Sequence, residues 1–124
     1  MRSSNCYLNF DGNCRQAMTF YGQCFATEPN FTPFPEDSER ILHSELSSGP
    51  LVLMASDFLP GTPFHRGNNV SITLICESLA EMERLFAALG SHGRVTVEMH
   101  DAFWGGRFGM LTDQFGIQWM LSFR

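Results

Sequence analysis

The sequence predicts an α+β fold of two βαβββ modules forming one curved mixed sheet with a concave ligand face. Three observations predict it. The order strand, helix, three strands can be read twice along the chain. The two copies align residue by residue. At an offset of 64, Leu8 meets Ile72, Phe10 meets Leu74, Met18 meets Met82, Tyr21 meets Leu85 and Phe25 meets Leu89. At an offset of 66, Leu51 meets Ile117, Leu53 meets Trp119, Met54 meets Met120 and Ser56 meets Ser122. The third observation is compositional: 124 residues with 44% apolar and 17% charged side chains suit one globular domain rather than two or a disordered chain. The domain is expected to span 1–124, with module one at about 5–56, a connection at 57–69 and module two at about 70–124. Neither module buries a sheet face by itself, so the pair is expected to act as one unit.

Each element has its own signal. Tyr7-Leu8-Asn9-Phe10 reads as a strand, and Asp11-Gly12-Asn13 as a turn and helix cap. Cys14, Ala17, Met18, Tyr21 and Phe25 recur at helical spacing and predict one apolar helix face. Residues 27–40 carry Pro29, Pro33 and Pro35 and predict a loop around one irregular strand. Ile41–Ser47 and Leu51–Ala55 read as a hairpin turned by Ser48-Gly49-Pro50.

The second copy opens with a strand at Val70–Ile75. Ser78 with Glu81 three residues on is a capping box. Met82, Leu85, Phe86 and Leu89 form the face of the helix it starts, and Gly90 and Gly93 end that helix. Strands are expected at Arg94–Met99, Phe103–Leu111 and Gly116–Phe123, with turn chemistry at Thr112–Gly116.

Charge excludes several functions. All eight basic residues are Arg, set against 13 acidic ones, for a net charge of −5. Without Lys there is no Schiff-base, pyridoxal-phosphate or P-loop lysine. The scattered Arg form no basic stripe for nucleic acid. No apolar run reaches the length of a membrane span, and the N-terminus shows no apolar leader segment. Cys6, Cys14, Cys24 and Cys76 show no zinc spacing and read as reduced thiols. A cytoplasmic location is therefore expected.

Three stretches carry a resemblance. They are Tyr7–Cys14 with Ala17 and Phe20-Tyr21, then Ile41–Leu46 and Leu53–Asp57, then the long block Phe103–Leu121. In these the sequence resembles the vicinal oxygen chelate superfamily of glyoxalase I, extradiol dioxygenases and bleomycin- and fosfomycin-resistance proteins. More narrowly it is similar to its PhnB-like branch, also labelled a 3-demethylubiquinone-9 3-methyltransferase domain. The methyltransferase label fits the residues poorly. Gly105-Gly106-x-x-Gly109 lies between strands, not at a strand-to-helix turn that would cradle a cofactor.

The resemblance implies a divalent metal held by His and Glu. By that comparison the ligand positions fall near Asn5, Met54, Ser71 and Met120, and thioethers suit such metals poorly. No cofactor is therefore expected, with a divalent metal as the alternative. His43 and Glu45, two apart on one strand, share a face, while Leu42 and Leu46 are expected to point toward the helices. The pair is a candidate acid/base or ligand anchor, or else a structural pair.

Arg107 is placed either to grip an anion or to pair with Asp113 or Asp57. Trp104 and Phe103 offer a pocket wall or core packing, and Asp57 lines the pocket or serves a turn or cap. Trp119 should be core, leaving Gln118 and Met120 to line the cavity. The expected function is small-molecule binding by a homodimer without the metal quartet. The alternative is a superfamily enzyme of lyase, isomerase or dioxygenase type using His43 and Glu45.

Overall fold

A computed structural model describes residues 1–124. The chain divides into two compact units, Met1–His65 and Arg66–Arg124. Unit one contains β1 (Cys6–Phe10), α1 (Cys14–Cys24), β2 (Asn30–Phe34), β3 (Asp37–Ser48) and β4 (Leu51–Asp57). Unit two contains β5 (Ile72–Ile75), α2 (Leu79–Leu89), β6 (Arg94–Asp101), β7 (Arg107–Thr112) and β8 (Gln118–Phe123). The strand orders are β1-β4-β3-β2 and β5-β8-β7-β6, so the two units share one topology. The α+β class and the module order are those expected. The ladders form two four-stranded sheets rather than one, because each unit pairs its own first strand with its own last, in parallel. No helix is long and apolar enough to cross a membrane.

In unit one, α1 buries Cys14, Ala17, Met18 and Tyr21 and packs on β3 and β4. The side chains beneath it are Phe10, Ile41, Leu46, Leu53 and Ala55, all buried. Each large side chain removed from water there contributes about 1.5–3 kcal/mol. Gly22 lets the following loop close onto the helix: a Cβ there would stand 2.7 Å from the Thr27 carbonyl and 2.8 Å from Pro29 Cδ.

In unit two, α2 starts on the expected capping box. The Glu81 amide donates to Ser78 Oγ at 3.0 Å, and Glu81 Oε1 accepts from the Glu77 amide at 3.0 Å. Its buried face is Met82, Leu85, Phe86 and Leu89, as expected, above a fully buried Trp119 and Leu121.

Three local expectations are corrected. The helix cap at Asn13 makes no side-chain capping bond; the amides of Gly12 and Cys14 donate instead to Asp57 Oδ1 at 2.8 and 3.0 Å. Gly90 is the C-cap of α2, as expected, and His92 beyond it takes the left-handed conformation (φ 58°). Gly93 is required by close approach, since a Cβ would stand 2.5 Å from the Thr112 carbonyl. The strand expected from Phe103 starts only at Arg107, because Ala102–Gly106 forms the hairpin turn, closed by Ala102 N–H to the Gly106 carbonyl at 2.6 Å. Finally, Leu42 is exposed rather than turned toward the helix. Thr32 pairs with His43 but Pro33 pairs with Ile41, so Leu42 is an extra residue in a bulge. Proline offers no N–H to continue the ladder at that point.

Candidate functional site

The bulge decides which residues of β3 share a face. Ile41, Ser44 and Leu46 are buried on the helix side, and His43 and Glu45 stand on the other. The ladders extend that face across the sheet. Glu45 pairs with Met54, and Met54 pairs with Tyr7. Asn9 pairs with Ser56, and Thr32 with His43, on the same side.

Tyr7 Oη lies 3.1 Å from His43 Nδ1, with the two rings 5.8 Å apart. His43 Nε2 lies 3.9 Å from Glu45 Oε1. That separation is beyond hydrogen-bond reach, so the carboxylate faces the imidazole without being tied to it. The side chains of His43 and Glu45 are 41% and 43% exposed. The arrangement offers a phenol, an imidazole and a carboxylate in line, with a thioether beside them. Such a set can anchor a ligand by hydrogen bonds or relay a proton.

Tyr7 was not among the residues singled out for a site. Strand alternation was the available signal, since Tyr7 and Asn9 flank the inward-facing Leu8.

In unit two the corresponding face carries Thr73, Met110 and Met120, which are paired across β5, β8 and β7. Thr73 Oγ1 lies 3.9 Å from the Met120 sulfur. Gln118 is on the same face of β8, and its amide donates to the Val70 carbonyl at 2.8 Å. No imidazole or carboxylate pairs with these residues.

The other candidates are placed apart from these. Asp57 is buried, and its carboxylate takes three backbone amides: Gly12 and Cys14 on Oδ1 and Ile41 on Oδ2, the last at 2.9 Å. Asp113 does the same in unit two, accepting from Phe115 N–H at 2.8 Å, Ile117 N–H at 3.1 Å and the Trp119 indole at 2.8 Å. With both carboxylates so engaged, Arg107 pairs with Asp101 instead, at 3.2 Å. It pairs across β8 with Phe123, which puts it on the face opposite Gln118 and Met120.

Phe103 stands fully exposed in the β6–β7 turn. Trp104 folds back over Gly106, where an added Cβ would be 2.0 Å from its ring, and Arg124 lies 6.0 Å from the ring centre. Gly109 has a similar reason: a Cβ there would stand 2.7 Å from the Phe86 ring. The glycines of Gly105-Gly106-x-x-Gly109 thus serve a turn and close packing.

The donor set does not fit the metal that the superfamily implies. No group of three or more His, Cys, Asp or Glu converges, and Met54 and Met120 occupy the two strand positions that the resemblance assigns to carboxylates. A separate groove of about 350 Å³ lies between α1 and β2, lined by Thr19, Gly22, Gln23, Thr27, Glu28 and Phe31 among others. None of the sequence-derived site residues borders it.

The two βαβββ units define the class: the chain has the fold of the vicinal oxygen chelate superfamily. Within it, the chain belongs to the family described as 3-demethylubiquinone-9 3-methyltransferase, which it matches over residues 3–122. It is 37% identical to protein PA1353 of Pseudomonas aeruginosa, with a TM-score of 0.84 over 98% of both chains. A PhnB protein of Bacillus cereus, described as a putative 3-demethylubiquinone-9 3-methyltransferase, shares the fold at 20% identity and a TM-score of 0.80. That match covers 99% of this chain and 100% of the other. The fosfomycin resistance protein FosX of Mesorhizobium loti shares it at 8% identity and a TM-score of 0.66, over 100% and 93%.

Proposed function

We propose that this protein binds a small molecule on the Tyr7–His43–Glu45 face of unit one, without a metal quartet. The observation that carries the reading is the alignment of Tyr7 Oη from β1 with His43 Nδ1 and Glu45 from β3, over the intervening β4, on a half-exposed face. Polar side chains on a sheet face gain little for stability, so a set aligned like this suits ligand orientation. Gln118 and Met120 offer a second, mostly apolar lining surface in unit two, and Phe103 with Trp104 an aromatic rim there. Asp57 and Arg107 support the fold in this reading. A homodimer in the cytoplasm belongs to the same proposal; the four free cysteines suit a reducing compartment.

The family's description names a methyl transfer. Each unit here is a four-stranded mixed sheet with one helix, and its glycines serve packing, so the proposal assigns no methyl-transfer step to these residues. A thermal-shift screen of a broad small-molecule library tests the binding reading. At least one ligand should raise the melting temperature of the parent protein and fail to do so with His43→Ala. A library that stabilises neither protein contradicts it.

The Tyr7–His43 contact also supports an enzymatic reading of the same face. With its proton on Nδ1 and donated to Tyr7 Oη, His43 would take a proton from the substrate at Nε2, and Glu45 would stabilise the imidazolium formed. Turnover that survives His43→Ala unchanged would rule this out.

A further inference from the structure

We infer that the ligand of the Tyr7–His43–Glu45 face is a cation, and specifically a protonated amine carried on an aromatic or apolar group. This deepens the binding reading and rests on it. Unit one keeps its positive charge away from this face. The chain has no Lys. Arg15, on α1, donates to the Ser38 carbonyl at 3.3 Å and lies 4.9 Å from the Phe31 ring centre. Arg40 donates to the Phe58 carbonyl and stands 3.8 Å from Asp11. Arg2 is in the exposed segment ahead of β1. Arg40 is the one Arg on the strands of this sheet, and it is turned to the Phe58 carbonyl and Asp11; beside His43 and Glu45 the face presents Tyr7, Asn9, Thr32, Met54 and Ser56.

Glu45 is therefore the fixed charge of this surface. Its carboxylate makes no hydrogen bond; its one close charged neighbour is His43 Nε2 at 3.9 Å. An anionic ligand would meet that carboxylate, while the one strand-borne guanidinium of unit one, Arg40, is already engaged by Asp11 and the Phe58 carbonyl. An ammonium meets the opposite situation. It can donate to Glu45, donate to His43 Nε2, and lie against the Tyr7 ring, whose face attracts cations. The thioether of Met54, paired directly with both Glu45 and Tyr7, gives the apolar part of the ligand a soft contact.

The geometry also carries a signature. When His43 Nε2 accepts from a bound ammonium, its proton must sit on Nδ1 and be donated to the Tyr7 oxygen. With no ligand, the Tyr7 hydroxyl donates to Nδ1 and Nε2–H faces Glu45. Binding of an amine thus moves the imidazole from one tautomer to the other.

The test uses three probes of one shape on the full chain at pH 8 and low salt: benzylammonium, benzoate and benzyl alcohol. NMR titration follows the signals of Tyr7, His43, Glu45 and Met54. Benzylammonium should bind about tenfold more tightly than benzyl alcohol, the sum expected of one exposed ion pair and one cation–π contact. Benzoate should bind weakest. Glu45→Gln should cut the preference for benzylammonium to about threefold, what the Tyr7 ring alone supplies, and only the amine should shift the His43 ring nitrogens toward the Nδ1–H tautomer. Benzoate binding as tightly as benzylammonium, or an amine preference undiminished by Glu45→Gln, overturns the cation assignment while leaving the binding reading intact. If none of the probes moves these signals, both fall.

Discussion

The Tyr7 hydroxyl reaches His43 Nδ1 at 3.1 Å across the whole width of β4, joining residues 36 positions apart. The contact fixes the imidazole's orientation, and with it the nitrogen that faces Glu45. In the ligand-free protein His43 should carry its proton on Nε2. Removing the hydroxyl with Tyr7→Phe should raise the Nδ1–H population, read from ¹⁵N shifts of the ring. Stability should change by less than about 1 kcal/mol, since the bond is exposed to water. An unchanged tautomer ratio would mean that Tyr7 does not orient the ring.

Asp57 joins three elements through one buried carboxylate: the start of α1, the end of β4 and Ile41 on β3. Asp57→Ala leaves three amides without that acceptor and should cost about 3 kcal/mol or more in urea unfolding. Asp57→Asn keeps one carbonyl oxygen and should cost less. Asp113→Ala should be comparably damaging, because it strands the Trp119 indole and two turn amides.

The packing of Trp104 on Gly106 gives an optical prediction. In Gly106→Ala the new Cβ meets the Trp104 ring and, at 2.6 Å, the Phe123 carbonyl. The ring must leave its site, so part of the tryptophan emission should shift to the red. The signal from fully buried Trp119 should stay as it is. Overpacking of this kind should cost about 1–3 kcal/mol.

Burial, with Asp57 adding to it and Arg15 opposing it, pushes the Cys14 thiol from 9.0 up to about 12. The unfolded chain therefore loses this proton at lower pH than the folded one. Cys14 contributes fully to stability below pH 9, and that contribution is lost progressively as pH rises toward about 12. Denaturation curves between pH 8 and 11 should show a steeper alkaline decline for the parent than for Cys14→Ala. Parallel declines would contradict the buried, protonated thiol.

Much of the fold was legible because it depends on periodicity. The apolar positions of α1 and α2, the Ser78 capping box and the burial of Trp119 follow from spacing alone. The two-module repeat is legible too, but its first strands align differently from the expectation. Cys6 pairs with Leu53 as Ile72 pairs with Trp119, so Leu8 corresponds to Leu74 rather than to Ile72. Apolar alternation gives the same match at either even offset, and only the ladder distinguishes them.

The site was legible in part. His43 and Glu45 do share a face, but Leu42 and Leu46 do not both point inward: Leu46 is buried and Leu42 exposed. A bulge opposite Pro33 shifts the alternation by one residue, and local sequence does not specify which residue is extruded. Tyr7 lies far along the chain from its partner, so its place beside His43 follows from strand order. The same holds for Asp57: its amide partners come from two other elements, so local sequence suggests a cap at Asn13 while the carboxylate that serves the helix start comes from across the fold.

The central claim is that a ligand lands on the Tyr7–His43–Glu45 face of unit one. Backbone and methyl chemical-shift mapping, with a ligand taken from the thermal-shift screen, tests it most directly. The largest shifts should cluster at Tyr7, His43, Glu45 and Met54 and vanish in His43→Ala. Shifts clustered instead at Thr19, Gln23 and Phe31, in the groove between α1 and β2, would contradict it.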